Sequence, residues 1–306
     1  MILRTEHLSH RYSSAWAIHD INIQIEGTGI VGLLGSNGAG KSTTMNIICG
    51  TLNPTEGNVF IDEIDISKQP EEAKKRIGYL PQNLPLYPDL TVDEYLTYTA
   101  ELRLMTKDKI KQALREVKER CGITQVSSRL INNLSGGYRQ RVGIAQSIIH
   151  HPSLVVMDEP TNGLDPNQLI EARKLIKEIS KSHTVLLSSH VLSEVNLLCQ
   201  EIIMIESGRV VFSDSMHAFN NYIQSQAVIV SMENPPTREE LSKIPGVTGM
   251  EYTTSKKLRI FFEGGPEITE KIIAASITGN WRLQEISIDK GDLDDIFKKI
   301  SQQTTQ

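Results

Sequence analysis

The segment Gly35-Ser36-Asn37-Gly38-Ala39-Gly40-Lys41-Ser42 directly follows a short apolar run, Ile30-Val31-Gly32-Leu33-Leu34. It satisfies every fixed position of G-x-x-x-x-G-K-[ST], the pattern of a phosphate-cradling loop. A buried strand that ends in this loop, with a helix opening after Gly40, commits this part of the chain to an α/β architecture. The glycines let successive backbone N–H groups converge on phosphate oxygens, and the first helical amides extend that anion site. Lys41 supplies a positive charge to β/γ oxygens, Ser42 offers a hydroxyl to Mg²⁺, and Thr43 continues the cradle. The rival reading, an ordinary glycine-rich turn, leaves the strand in front of it unexplained.

A second buried-strand pattern, Leu154-Val155-Val156-Met157, delivers Asp158 and Glu159 at its C-terminal end. That is the end at which α/β sheets bind ligands. Asp158 is placed to hold Mg²⁺ through water, and Glu159 to orient or deprotonate an attacking water. Between these segments lies Leu134-Ser135-Gly136-Gly137-Tyr138-Arg139-Gln140. Its Ser-Gly-Gly turn at a helix start offers a second set of phosphate-facing amides. One nucleotide rarely needs both sets from a single chain, so the pair raises the question of a dimer.

The surrounding pattern organises these pieces. Ile21, Ile23 and Ile25 alternate with polar residues as in a half-exposed strand, and Val59-Phe60-Ile61 is a further strand. From Thr91 to Cys121 the character becomes helical, with Ile110, Leu114 and Val117 at helical spacing along Lys107 to Arg120. The helix after the Ser-Gly-Gly turn carries Val142, Ala145, Ile148 and Ile149 on one face. Strand patterns return at Leu154–Met157 and Thr184–Leu187, and Ile202–Ile205 with Val210–Phe212 flank a Ser207-Gly208 hairpin turn. The expectation is an α/β core over 1–215, interrupted by a helical insert from about 84 to 150. Residues 216–306 form a second, α+β unit. There Thr237-Arg238-Glu239-Glu240 opens a short helix as a capping box, and strand-like runs occupy Ala227–Met232, Val247–Thr253, Lys257–Phe262 and Trp281–Ile286. A helix is expected at 267–277 and a last one carrying Leu293, Ile296, Phe297 and Ile300, an order compatible with a ferredoxin-like sandwich.

Bulk properties exclude several classes. The 306 residues carry a formal charge of −5, which gives no electrostatic reason to expect nucleic acid as a partner. Cys49, Cys121 and Cys199 fit no metal spacing and suggest a reducing compartment. Neither a signal peptide nor an apolar run of the roughly 18 residues needed to span a bilayer is apparent. His150 and His151, ahead of Pro152, read as solvated residues without chemistry.

Together the motifs make the chain resemble, over about residues 1–215, the nucleotide-binding subunit of an ATP-binding cassette (ABC) transporter. Leu134–Gln140 resembles the cassette signature, and Gln82, in Tyr79-Leu80-Pro81-Gln82, the Q-loop glutamine. Asn162-Gly163-Leu164-Asp165 resembles the D-loop, His190 stands where the switch histidine belongs, and Tyr12 where an aromatic stacks on adenine. The rival reading of Asp165 is a helix or turn cap before Pro166, and that of Tyr12 a packing residue. Two departures stand out: Ser36 replaces a frequent proline, and Gly27-Thr28-Gly29 replaces a frequent Gly-Glu turn. Neither removes a phosphate, metal or water ligand.

The resemblance implies a P-loop NTPase core with an antiparallel β subdomain and a helical subdomain, binding ATP and Mg²⁺. It implies that Gln82 reaches the metal or water when the helical part closes, that His190 contacts the γ-phosphate, and that Ser135, Gly136 and Gly137 face the nucleotide of another protomer. It further implies a homodimer, or a heterodimer with a sibling cassette, docked on integral-membrane permease subunits at the cytoplasmic face of the membrane. The tail, ending in Gly291-Asp292-Leu293-Asp294-Asp295-Ile296-Phe297, resembles the extension of type-2 exporters. An importer cassette with a small α/β tail, and a soluble cassette ATPase acting on ribosomes or DNA, stay open as alternatives.

Overall fold

The phosphate-loop strand lies inside a six-stranded sheet because neither of its faces carries a polar side chain. In the computed structural model, which describes residues 1–222, 227–265 and 267–289, the chain divides into two compact units, Met1–Met216 and His217–Gln306.

In the first unit, β1 (Leu3–Tyr12) and β2 (Ala15–Ile25) form an antiparallel hairpin. Ile21, Ile23 and Ile25 of β2 turn inward, as alternation requires for a sheet with one wet face, and an irregularity at Asp20 (φ +57°) lets Ile18 be buried as well. Next come β3 (Gly29–Leu34), α1 (Lys41–Ile48), β4 (Glu56–Ile61) and the short β5 (Ile64–Asp65). Strands β2-β1-β4-β5 make one four-stranded sheet. The chain continues through α2 (Pro70–Lys75), β6 (Ile77–Leu80), α3 (Val92–Leu102), α4 (Lys107–Arg120) and α5 (Gly136–Ile148). It then runs through β7 (Leu154–Met157), α6 (Pro166–Ile179), β8 (Thr184–Ser189), α7 (Leu192–Leu198), β9 (Glu201–Glu206) and β10 (Arg209–Ser215). The central sheet has the order β10-β9-β3-β8-β7-β6, parallel except for the edge strand β10. Register aligns Leu34 with Ser189 and Met157 with Leu187. Gly35, Asp158 and His190 therefore leave the sheet at one edge.

The helical region holds its own contacts. Thr91 and Glu94 form a reciprocal capping box that starts α3. On α4 the buried positions are Ile110, Ala113 and Val117, whereas the expected Leu114 is only half-buried. Helix α5 presses on β6 so closely that a Cβ at Gly78 would meet the carbonyl oxygen of Ser147 at 1.8 Å, which only glycine avoids. His150, expected in solvent, is instead mostly buried. Its Nε2 pairs with the Ile77 carbonyl at 3.0 Å, and Nδ1 has no partner. Burial, helped by the Arg103 charge, pushes the imidazole down to about 4, so it is neutral at pH 7.

Helix α8 (Met216–Tyr222) spans the boundary. The second unit contains β11 (Ala227–Met232), α9 (Arg238–Ser242), β12 (Val247–Tyr252), β13 (Lys257–Phe262), α10 (Glu267–Thr278) and β14 (Leu283–Ile288). Its sheet has the order β12-β13-β11-β14, antiparallel throughout. A third strand thus separates the two that flank the first helix, the split β-α-β arrangement. Its core includes Val228, Val230, Leu258, Ile260, Ile272 and Trp281. Thr237 caps α9 through Glu240. The expected final helix, with Leu293, Ile296, Phe297 and Ile300, lies outside the described residues.

Candidate functional site

Gly40 ends the phosphate loop at φ +108° and caps α1. A Cβ there would sit 2.6 Å from Ile18 Cγ2 and 2.8 Å from the Ala17 carbonyl, so the loop is seated directly on β2. The turn between β9 and β10 clasps it from elsewhere. Gly208 N donates to Ala39 O at 3.0 Å, and Ser36 Oγ donates to Glu206 Oε2 at 3.0 Å. The serine that replaces proline in the loop thereby gains a partner. Lys41 is buried, and its Nζ donates to the carbonyls of Gly35 at 2.8 Å and Ser36 at 3.0 Å. Burial pulls the Lys41 ammonium below the usual lysine range, against the opposing pull of Glu159, Asp158 and Glu206. Ser42 is exposed at the first turn of α1, and Asn37 and Gly38 are exposed at the loop's tip.

Asp158 and Glu159 leave β7 next to this loop. Asp158 is buried, and its Oδ1 accepts from Ser188 Oγ at 2.5 Å. The same hydroxyl accepts from Glu159 N at 2.9 Å. Glu159 holds a left-handed backbone, φ +49°, an unfavourable conformation for a side chain of this size and a frequent mark of functional sites. Its carboxylate gathers three partners: Gln82 Nε2 at 3.1 Å, Asn162 Nδ2 at 3.1 Å and His190 Nδ1 at 2.8 Å. Residues far apart in sequence thus converge on one carboxylate.

The Ser-Gly-Gly turn begins α5. Ser135 Oγ accepts from Tyr138 N at 3.4 Å, Gly136 is open to solvent, and Gly137 packs against Gln168 of α6. Gln140 Nε2 donates to Pro160 O at 2.6 Å, tying α5 to the segment after Glu159. Among the described residues no hydrogen bond joins Gly35–Ser42 to Ser135–Gly137. Asp165 Oδ1 caps α6, accepting from Asn167 N and Gln168 N at 3.0 Å each. The cap reading of Asp165 is therefore realised. Tyr12 ends β1 half-exposed and meets His10 edge-on at 4.7 Å, on the hairpin against which the loop rests.

Sequence reasoning missed Ser188 and Glu206, and it placed Asn162 in the Asn162–Asp165 motif without its bond to Glu159. Ser188 had a signal: a serine closing an otherwise apolar buried strand must find a partner. Trp16 is exposed on the same hairpin as Tyr12, with the Arg11 guanidinium 5.7 Å from its ring. Glu206 carries no local signal, because its partner Ser36 is set by tertiary placement.

The donor set suits a nucleotide with a hard cation. No cluster of three or more His, Cys, Asp or Glu able to hold a metal occurs among the described residues. A Mg²⁺ held largely by phosphate oxygens needs only one or two protein oxygens, which the Ser42 hydroxyl and the Asp158 carboxylate provide.

A phosphate loop, a glutamate at the end of a strand two places along the same sheet and a glycine-rich second helix start define a nucleotide-binding cassette. The model of the ABC transporter family matches residues 18–162. The ABC transporter ATP-binding protein NatA of Bacillus subtilis is 37% identical over 204 residues, covering 66% of this chain and 83% of NatA. The bacitracin transport ATP-binding protein BcrA of Bacillus licheniformis is 36% identical, covering 68% of each. A bacterial ABC transporter cassette solved as a dimer superposes with a TM-score of 0.63 at 26% identity, covering 70% of this chain and 99% of that one. The chain belongs to the ABC transporter family, as an ATP-binding cassette subunit.

Proposed function

We propose that this subunit hydrolyses ATP to energise export through separate membrane subunits, working as a pair of cassettes. The observation that carries the reading is the Glu159 carboxylate, held at once by Gln82, Asn162 and His190 beside the phosphate loop.

Lys41 exchanges the carbonyls of Gly35 and Ser36 for phosphate oxygens, with the loop amides from Ser36 to Thr43 around them. Ser42, Asp158 and Gln82 would hold Mg²⁺, which would supply charge neutralisation on the β- and γ-phosphates. Glu159 orients the attacking water and takes its proton, while His190 fixes the carboxylate through Oε1 and faces the γ-phosphate. Gln82 makes that arrangement depend on the helical region, because it sits between β6 and α3. Tyr12 stacks on the base. Ser135, Gly136 and Gly137 serve the nucleotide held by the opposite cassette, and Asp165 shapes the junction between them by capping α6.

A relative named for bacitracin transport supports the transport reading. In this reading the cargo passes through separate permease partners, on which the cassettes dock at the cytoplasmic face of the membrane; no helix among the described residues is long and apolar enough to cross a membrane. The test is ATP turnover by the purified chain, with capture of a membrane protein from detergent-solubilised membranes. Turnover that survives Glu159→Gln would refute the assignment of the base. Recovery of a ribosome or DNA in place of a permease would refute the transport reading.

A further inference from the structure

Glu194, on α7, is a buried carboxylate that the mechanism above does not use. Its Oε2 accepts from Thr161 Oγ1 at 2.6 Å, and its Oε1 accepts from Arg173 Nη2 at 3.1 Å. Thr161 is itself buried, two residues after Glu159. The next residue, Asn162, holds the Glu159 carboxylate through Nδ2 and closes a turn on the Glu159 carbonyl, both at 3.1 Å. Arg173 belongs to α6, the helix that Asp165 caps. One carboxylate thus ties together the helix after His190, the turn after Glu159 and the helix that ends the Asn162–Asp165 loop.

A buried carboxylate is costly unless it is fully partnered, and here both oxygens are. The tie also has a consequence for geometry. Val191 N donates to Ser189 Oγ at 2.9 Å, which turns the chain sharply at His190 and leads into α7. The His190 and Glu159 segments are therefore joined at the reacting end by His190–Glu159 and again, out of solvent, by Glu194–Thr161. The exposed contact alone leaves Asn162 free to swing with its loop. The buried one fixes the residue before it.

We infer that Glu194 is a positioning residue, holding Thr161 so that Asn162 keeps the Glu159 carboxylate aimed at the attacking water. This rests on the reading of Glu159 as the base. Loss of the Thr161 hydroxyl should therefore lower kcat and leave nucleotide binding alone, since no phosphate-loop residue takes part.

The test uses the full chain. Thr161→Val keeps the shape and leaves the Arg173–Glu194 pair whole, avoiding an unpaired buried charge. It should lower kcat by about tenfold or more, with KM for ATP within about twofold of wild type. Thr161→Ser, which restores a hydroxyl, should restore turnover. The double variant Arg173→Met/Glu194→Leu, which removes the acceptor together with both buried charges, should lower kcat as Thr161→Val does, and a double variant with wild-type kcat would overturn the inference. A merely structural residue would shift melting temperature without this split and without rescue by serine. If Thr161→Val keeps wild-type kcat, or Thr161→Ser falls as far as Thr161→Val, the inference is wrong while the reading of Glu159 stands. A wild-type chain with no ATPase activity would overturn both.

Discussion

Ser188 Oγ lies 2.5 Å from Asp158 Oδ1 and accepts the amide of Glu159 at 2.9 Å, so one hydroxyl on β8 fixes both acidic residues at the end of β7. The parallel register that sets Met157 opposite Leu187 brings this hydroxyl to the next position along. Ser188→Ala leaves a buried carboxylate oxygen and a buried amide without this partner. The expected cost is about 1–3 kcal/mol of stability and a fall in turnover of about tenfold, with ATP affinity changing less. Chemical denaturation and steady-state kinetics on the same preparation check it.

The glycines of the two phosphate-facing turns should respond differently to a methyl group. At Gly40 the backbone is left-handed and the nearest atoms are 2.6 and 2.8 Å from a Cβ. Gly40→Ala should cost about 2 kcal/mol or more and abolish nucleotide binding by displacing the loop from β2. At Gly136 a Cβ meets nothing within 4 Å. Gly136→Ala should change stability by less than about 0.5 kcal/mol and still reduce turnover if, as proposed, the turn serves a nucleotide held by another cassette. Calorimetric ATP titration and thermal melts of the pair separate the two effects.

His150 predicts a pH dependence of stability. Its folded value, near 4, is below the ordinary histidine value of 6.5, so the native state binds fewer protons than the unfolded chain in that interval. The stability linked to neutral His150 is fully present above about pH 6.5. It is lost as pH falls toward 4 and is gone below, amounting to about 3 kcal/mol at most. His150→Gln retains an N–H for the Ile77 carbonyl and should flatten this stretch of the stability curve. Urea midpoints from pH 7 to 4 for both proteins measure the difference. An identical slope would remove His150 as the cause.

The local motifs were readable because their chemistry is written in consecutive residues: the loop Gly35–Ser42, the acidic pair after Met157 and the capping box at Thr237. Apolar runs identified the strands flanking them, since β3 and β7 are apolar throughout and β8 is apolar over Val185, Leu186 and Leu187. What stayed hidden depends on partners distant in sequence. Burial of His150 comes from its packing against β6, and a His-His-Pro string reads as solvent-facing without that contact. Ser36–Glu206 and Thr161–Glu194 join residues from different crossovers, so no spacing announces them. Asp165 shows the converse, a residue whose local cap geometry was visible beforehand as one of two readings.

The central claim is that each nucleotide is completed by the phosphate loop of one cassette and the Ser135 turn of another. Light scattering of Glu159→Gln with saturating ATP and Mg²⁺ tests it most directly, set beside the same variant carrying Ser135→Arg. Glu159→Gln should form a stable dimer, with turnover reduced by about a hundredfold or more, and should be a monomer once the arginine blocks the Ser135 turn. A Glu159→Gln protein that remains monomeric, or a dimer indifferent to Ser135→Arg, would contradict it.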